Sequence, residues 1–365
     1  MRPRSRSVLV ATLLATNVAA SGVTADAIAP TVPYAADPTF GGGDGLVTVD
    51  LGGFDGCPPG FDSTQSTRCG IALQSDGRIL AVATATGATL DLLVSRFLGD
   101  GTPDPSFGAG GSVVVDLGTD EKGPDIAIDS VGRIVVVGQS SAAGTSRSLV
   151  VRLLADGSLD PGFGAGGAVF VQVGNDDHGF ARTVAIGAGD TITFGGMTAP
   201  SGFSFLVARL TSDGALDPTF GTGGIRVDSP QGGETTEATA MRPNGRIVAV
   251  GSSYLGSDTA MTFEVGVDGG LFASWGICGY RNVQVAGATT GGTYGVIIDP
   301  DGRTVAVGYS SVGLGSGRLF SVRLLPDSTI DPTFGTAGVV HLELGGPDAF
   351  SVATGVARGT DGACT

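Results

Sequence analysis

The side chains that could do chemistry in this chain are acids, a few cysteines and two histidines. Loops that enter successive strand-like segments carry Asp120 and Glu121, Asp176 and Asp177, Glu234 and Glu237, and Asp348. A ring of such carboxylates could hold a divalent cation, with calcium the hard oxygen-seeking choice, or a cationic or hydroxylated ligand. The corresponding loop around Gly291-Gly292 has no acid, which counts against a regular metal ring. His178 and His341 lie at unlike positions and form no histidine cluster. Asp299-Pro300-Asp301-Gly302 has the opening of a calcium loop but lacks its distal glutamate, so it reads as a hairpin turn. No Gly-x-Ser-x-Gly elbow is present to activate a serine.

The cysteines speak of compartment. Arg2, Arg4 and Arg6 precede the apolar run Val8 to Ala20, too short to span a bilayer, so residues 1–27 read as a signal peptide and 28–36 as a linker. In an oxidising compartment Cys57 and Cys69 read as a disulfide that staples an inserted loop, 53–69, stabilising by roughly 3 kcal/mol on the chain-entropy model. Cys278 and Cys364 cannot be paired from the sequence, and no Cys-x-x-Cys suggests a metal site. The expected location is secreted, periplasmic or at the cell surface. Removal of residues 1–27 leaves 17 basic and 34 acidic residues, a net charge of −17. That balance makes nucleic acid and anionic membrane poor partners.

The elements that position these groups come from a repeat. Asp160-Pro161-Gly162-Phe163-Gly164 returns as Asp37 to Gly41, Asp104 to Gly108, Asp217 to Gly221 and Asp331 to Gly335, and a worn copy, Leu271 to Gly276, carries Trp275 in the phenylalanine slot. The unit is about 57 residues, and its 64 glycines per chain are periodic, which marks turns. In the second unit, Asp125 to Asp129, Arg133 to Gly138, Ser148 to Leu153 and Ala168 to Gln172 read as four short antiparallel strands, with Gln139 to Ser146 a polar loop. Gly-x-Gly-Gly runs such as Gly164 to Gly167 lead into strands and read as turns, not as phosphate loops. A glycine six residues after the turn glycine recurs as Gly138, Gly195, Gly251 and Gly308, with Ala83 in the first unit.

Four-stranded units of this kind predict an all-β fold, a β-propeller of four-stranded blades over residues 37–365. A first strand at Phe350 to Val356 and a fourth at Leu46 to Leu51 imply a sixth, incomplete blade closed by the N-terminal strand. Pro-Asp-Gly-Arg, Val-Arg-Leu and Asp-Gly-x-Leu-Asp-Pro-x-Phe-Gly-x-Gly-Gly resemble the delta-60 repeat family of exported bacterial proteins. The resemblance implies fold and compartment and supplies no catalytic residue.

One spacing needs a physical reading. Arg96, Arg152, Arg209 and Arg323 each stand eight residues before Asp104, Asp160, Asp217 and Asp331. In the worn unit these positions are Glu264 and Phe272, so both members change together, as a partly buried ion pair requires. The pairs read as blade scaffolding, and the worn unit as having lost its pair. What varies between units then points to a binding or scaffold module for a protein or carbohydrate. The rival is a propeller enzyme, a lactonase or lyase with a channel metal. Against it, the first strands offer small side chains such as Ala127, Ala185 and Gly355.

Overall fold

The computed structural model describes residues 39–40, 70–142, 144–173, 178–199, 203–229, 233–253, 259–276, 279–283, 288–311, 317–342, 353 and 356. They form five four-stranded antiparallel sheets. The first blade holds β1 (Ile71–Leu73), β2 (Ile79–Thr86), β3 (Leu90–Phe97) and β4 (Ser112–Val115). The second holds β5 (Asp120–Ile128), β6 (Ile134–Ala142), β7 (Thr145–Leu153) and β8 (Ala168–Val171). The third holds β9 (Gly179–Ile186), β10 (Ile192–Thr198), β11 (Ser204–Leu210) and β12 (Ile225–Asp228). The fourth holds β13 (Glu234–Met241), β14 (Ile247–Ser253), β15 (Thr259–Val265) and β16 (Tyr280–Val283). The fifth holds β17 (Thr290–Ile298), β18 (Thr304–Ser311), β19 (Gly317–Leu324) and β20 (Val339–Leu342). The segments expected to build a sixth blade, the signal peptide, the inserted loop and all four cysteines lie outside the described residues, apart from Ala353 and Val356.

The chain packs as two compact units, one running through Ile192 and including Thr211–Ala215, the other formed by Thr193–Leu210 and by Leu216 onward. In the first unit, Leu80, Val82, Leu92 and Val94 interleave with Ile126, Ile134, Val136 and Val151. Phe107 is completely buried there, which is worth roughly 1.5–3 kcal/mol per large apolar side chain. In the second unit, Val248, Val250 and Trp275 pack on Val296, Phe320 and Val322, and Phe205 meets Phe263 at 4.3 Å.

The recurring mid-strand glycine has a steric cause. The first strand of a blade carries a β-bulge, between Lys122 and Asp125, between Thr236 and Ala238, and between Thr293 and Gly295. The bulge drives a main-chain carbonyl onto the second strand. A Cβ at Gly138 would lie 1.7 Å from the Lys122 carbonyl oxygen, and one at Gly251 or Gly308 would lie 1.8 Å or 1.9 Å from that of Thr235 or Gly292. Only glycine fits.

The polar segment Gln139 to Ser146 is not a loop. β6 runs on to Ala142 and β7 begins at Thr145, so the two form one long hairpin. Serine-rich stretches usually mark turns. Here they cover a ladder, and Ser141 and Ser146 share a cross-strand hydroxyl bond of 2.8 Å.

Candidate functional site

Each Arg–Asp spacing of eight closes a compact socket. The arginine ends a third strand, the chain turns twice, and the aspartate amide donates back to the arginine carbonyl, as Asp160 does to Arg152 at 2.9 Å. Nε to Oδ2 distances are 2.8 Å for Arg96–Asp104, 2.8 Å for Arg152–Asp160, 2.7 Å for Arg209–Asp217 and 2.9 Å for Arg323–Asp331. Each guanidinium also lies over the repeat phenylalanine, at 4.6 Å from Phe107, 4.4 Å from Phe163, 4.7 Å from Phe220 and 4.7 Å from Phe334. Nη1 then reaches into the next turn of the chain, donating to the carbonyls of Ala155, Ser212 and Val267. One side chain thus ties strand, crossover and neighbouring blade.

The aspartates are held ionised by these contacts. A hydroxyl donated by Ser106 keeps Asp104 below its ordinary range, and Thr219 does the same for Asp217. The Thr333 hydroxyl brings Asp331 down to about 2. Burial alone would raise Asp160, but the Gly162 amide and Arg152 outweigh it.

The fourth blade differs from the reading of a lost pair. Glu264 occupies the arginine position and is completely buried, yet it is not alone. Arg242 Nε lies 3.3 Å from its Oε1 and Arg246 Nη1 lies 3.0 Å away. Arg242 sits over Trp275 at 5.4 Å and Arg246 over Phe272 at 4.1 Å. Arg242 also donates to the Gly302 carbonyl at 2.6 Å, supplying the link to the next blade. The charge has been inverted, not removed. Neither carboxylate oxygen of Glu264 receives a well-aligned hydrogen bond, and burial pushes the carboxyl up more strongly than the two arginines pull it down. Trp275 is buried in the core, with Nε1 donating to the Thr262 hydroxyl at 3.2 Å.

The acids expected to ring a mouth fall into three groups. Asp176, Asp177 and Asp348 lie outside the described residues. Asp120 is half-buried and accepts the Leu90 amide at 3.0 Å. Glu234 and Glu237 are buried, the first accepting the Ser229 hydroxyl at 2.7 Å and the second the Thr235 hydroxyl at 3.0 Å. They are not solvated loop residues. Glu234 holds Ser229 of the chain that precedes the strand, and Glu237 lies at the bulge and bonds within the strand.

Among the described residues, carboxylates converge at one place, in the first unit. Oxygens of Asp91, Asp116 and Glu121 lie within 4.8 Å of one another. Asp91 is the second residue of β3 and Asp116 follows β4; the pairing of Leu92 with Val115 places the two acids side by side. Burial raises the Glu121 carboxyl, the Thr119 and Leu117 contacts offset part of this, and Asp91 adds repulsion. Each carboxylate already accepts hydrogen bonds, Asp91 from Thr89, Asp116 from the Gly118 amide, and Glu121 from Thr119 and the Leu117 amide. The three could hold a hard cation through their remaining lone pairs, with further oxygens from water. Asp91 and Asp116 were missed in the sequence because neither belongs to the repeat. Their only signal was register: the equivalent row of the second blade carries Arg147 and Gln172. His178 and His341 are both exposed, and Asp299 to Arg303 is a hairpin turn closed by the Gly302 amide on the Asp299 carbonyl at 2.8 Å.

Four segments, 74–107, 132–163, 201–220 and 300–334, match the model of a family described as a domain of unknown function (DUF5122) beta-propeller. The segments end in or just after the Asp-Pro-x-Phe phrase, and none falls in the fourth blade, where the socket is inverted. Among solved structures, a protein of unknown function from Dyadobacter fermentans is 13% identical with a TM-score of 0.41, over 75% of this chain and 82% of that one. The PQQ-bound aldose sugar dehydrogenase from Streptomyces coelicolor is 16% identical with a TM-score of 0.40, over 75% and 80%. A gluconolactonase from Xanthomonas campestris is 15% identical with a TM-score of 0.38, over 81% and 90%. No curated protein matches this chain. Five four-stranded sheets built on one repeated phrase, together with the family match, make this chain a β-propeller repeat protein.

Proposed function

We propose that this is an exported binding module of the delta-60 repeat type, which takes its ligand on blade-specific side chains and not on the repeated ones. The observation that supports it is how the repeated charges are used. The arginines and aspartates of the phrase satisfy one another, and Glu121 and Glu234, at equivalent positions, hold their own entering loops. Selectivity is then left to what breaks the repeat. Asp91 and Asp116, which converge on Glu121, are one such place, suited to a cationic group or to a hydroxylated ligand bridged by calcium. A carbohydrate or a basic protein at the bacterial surface fits that chemistry, and the acidic charge argues against nucleic acid.

The test is capture of immobilised glycans and basic proteins by the full chain, with calcium and with chelator. Asp91→Asn with Asp116→Asn should weaken capture at least tenfold and leave the melting midpoint little changed. Undiminished capture by this double variant would remove the cluster from the assignment. The second reading, a lactonase-type propeller enzyme with a divalent metal, draws on the same three carboxylates. Calcium-dependent lactone hydrolysis that disappears in the double variant would favour it.

A further inference from the structure

The turn Arg242-Pro243-Asn244-Gly245-Arg246 belongs to the blade with the inverted socket. Asn244 is exposed, and the chain holds no other Asn-Gly step. The same turn position is Asp76 in the first blade and Asp301 in the fifth, each with an arginine two residues on. There the arginine commits Nη1 to the turn aspartate: Arg78 lies 2.6 Å from Asp76, and Arg303 is paired with Asp301. Nε is left to face the phrase aspartate, 3.0 Å from Asp104 and 3.3 Å from Asp331. In the fourth blade the neutral Asn244 accepts the Arg246 amide at 3.1 Å but gives the guanidinium no charge to meet. Nη1 of Arg246 therefore goes to the buried Glu264, at 3.0 Å. The amide at 244 and the glutamate at 264 depend on each other.

We propose that Asn244 is a covalent modification site, whose deamidation gives this turn the aspartate of its sister turns and draws Arg246 off Glu264. The main-chain nitrogen of Gly245 attacks Cγ of Asn244. The new N–Cγ bond forms as Cγ–Nδ2 breaks, and ammonia leaves carrying the hydrogen that the Gly245 nitrogen gives up. Water then opens the succinimide at either carbonyl, giving aspartate or isoaspartate. Glycine at 245 puts no side chain in the path of attack. The fold restrains the step, because the Gly245 amide donates to the Arg242 carbonyl at 2.9 Å and must first be freed. The reaction is accordingly slower in the folded chain than in the unfolded one. Its product leaves Glu264 with Arg242 alone, a buried carboxylate short of one cation.

The full chain, incubated native and in denaturant at mildly alkaline pH, is digested and the peptide bearing Asn244 weighed. The expected result is a gain of one mass unit at Asn244 in both samples, faster in denaturant, with isoaspartate detected by enzymatic methylation. A native chain that stays unmodified while the denatured chain converts fully would overturn the site. The rewiring is read from Asn244→Asp, followed by the fluorescence of Trp275, the single tryptophan. This variant should melt a few degrees below wild type and reproduce the emission of aged protein. In a Glu264→Gln background the same substitution should have no effect, since glutamine needs no cation. Equal melting of Asn244→Asp and wild type, or an undiminished loss beside Glu264→Gln, would overturn the rewiring. If Glu264→Gln does not fold, the comparison is made in Arg246→Ala, where the new carboxylate has no guanidinium to take; a loss that persists there is equally decisive against it.

Discussion

The fourth and fifth blades each gather one carboxylate and two arginines beside an aromatic ring, but the fourth exchanges the sign at the strand end and draws its second cation from the turn. In the fifth, Asp331 is the anion, with Arg323 at 2.9 Å from the end of the third strand and Arg303 at 3.3 Å from the turn. In the fourth, the anion Glu264 sits at the strand end, and both cations, Arg242 and Arg246, come from the turn. Position 242 is itself an aspartate in the second and fifth blades, Asp129 and Asp299. The lesson is that the repeat preserves a buried anion held by arginines beside an aromatic ring, and not the identity of any one residue. A charge taken out of water must be matched where it lies, and the neighbour that matches it can come from another strand end.

The largest expected effect comes from removing that anion. Glu264→Arg alone gathers three arginines with no anion and should cost about 3–5 kcal/mol, the range for breaking a buried ion pair. Adding Phe272→Asp and Arg242→Asp restores the pattern of the fifth blade, and the triple variant should recover most of the loss in denaturant unfolding. Additive losses across the three changes would mean that the two arrangements are not alternatives for one site.

The two sockets should also respond to pH with opposite signs. Asp331 has a folded value of about 2, below its ordinary 3.8, so its contribution is full above 3.8 and is lost as pH falls through about 2. Glu264 is raised by burial above its ordinary 4.5, so its contribution is full below 4.5 and is lost as pH rises through the folded value. Asp331→Asn should therefore be less stable than wild type at neutral pH and converge with it in strong acid. Glu264→Gln should instead gain on wild type as pH rises. Parallel slopes for the two variants in thermal melts across acid to neutral pH would refute the inversion as an energetic fact.

What could be read in the sequence was what is local and repeated. An arginine and an aspartate eight residues apart are joined by a turn whose length leaves few alternatives, so spacing alone brings them near one another. The glycine at 138, 251 and 308 showed its period, although its cause, a bulged carbonyl under 2 Å from where a Cβ would be, belongs to the pairing of two strands. Glu264 misled because its partners lie 18 and 22 residues upstream, one of them at position 242, an aspartate in the second and fifth blades. The cluster of Asp91, Asp116 and Glu121 draws on two blades, and no periodicity marks it. The serine-rich hairpin of β6 and β7 was hidden by composition, since serine favours turns unless a partner strand takes its hydroxyl.

The smallest expected effect sharpens the comparison most. Asp301→Asn in the fifth blade is the mirror of the change proposed at Asn244, placing an amide where an aspartate now stands. Both Asp301 and Arg303 are partly solvent-exposed, so loss of their ion pair should change stability by no more than about 1 kcal/mol. Arg303 released from Asp301 has a ready anion in Asp331, which is already 3.3 Å away and already paired with Arg323, so nothing buried is left uncompensated. The opposite change in the fourth blade takes a cation away from a carboxylate that has no exposure to water. The same pair of residue types, exchanged in opposite directions at equivalent turns, should therefore give unequal losses, with Asn244→Asp the greater. Equal losses in paired denaturant titrations would show that the turn acts only through its own conformation and that the buried partner at 264 has no part in it.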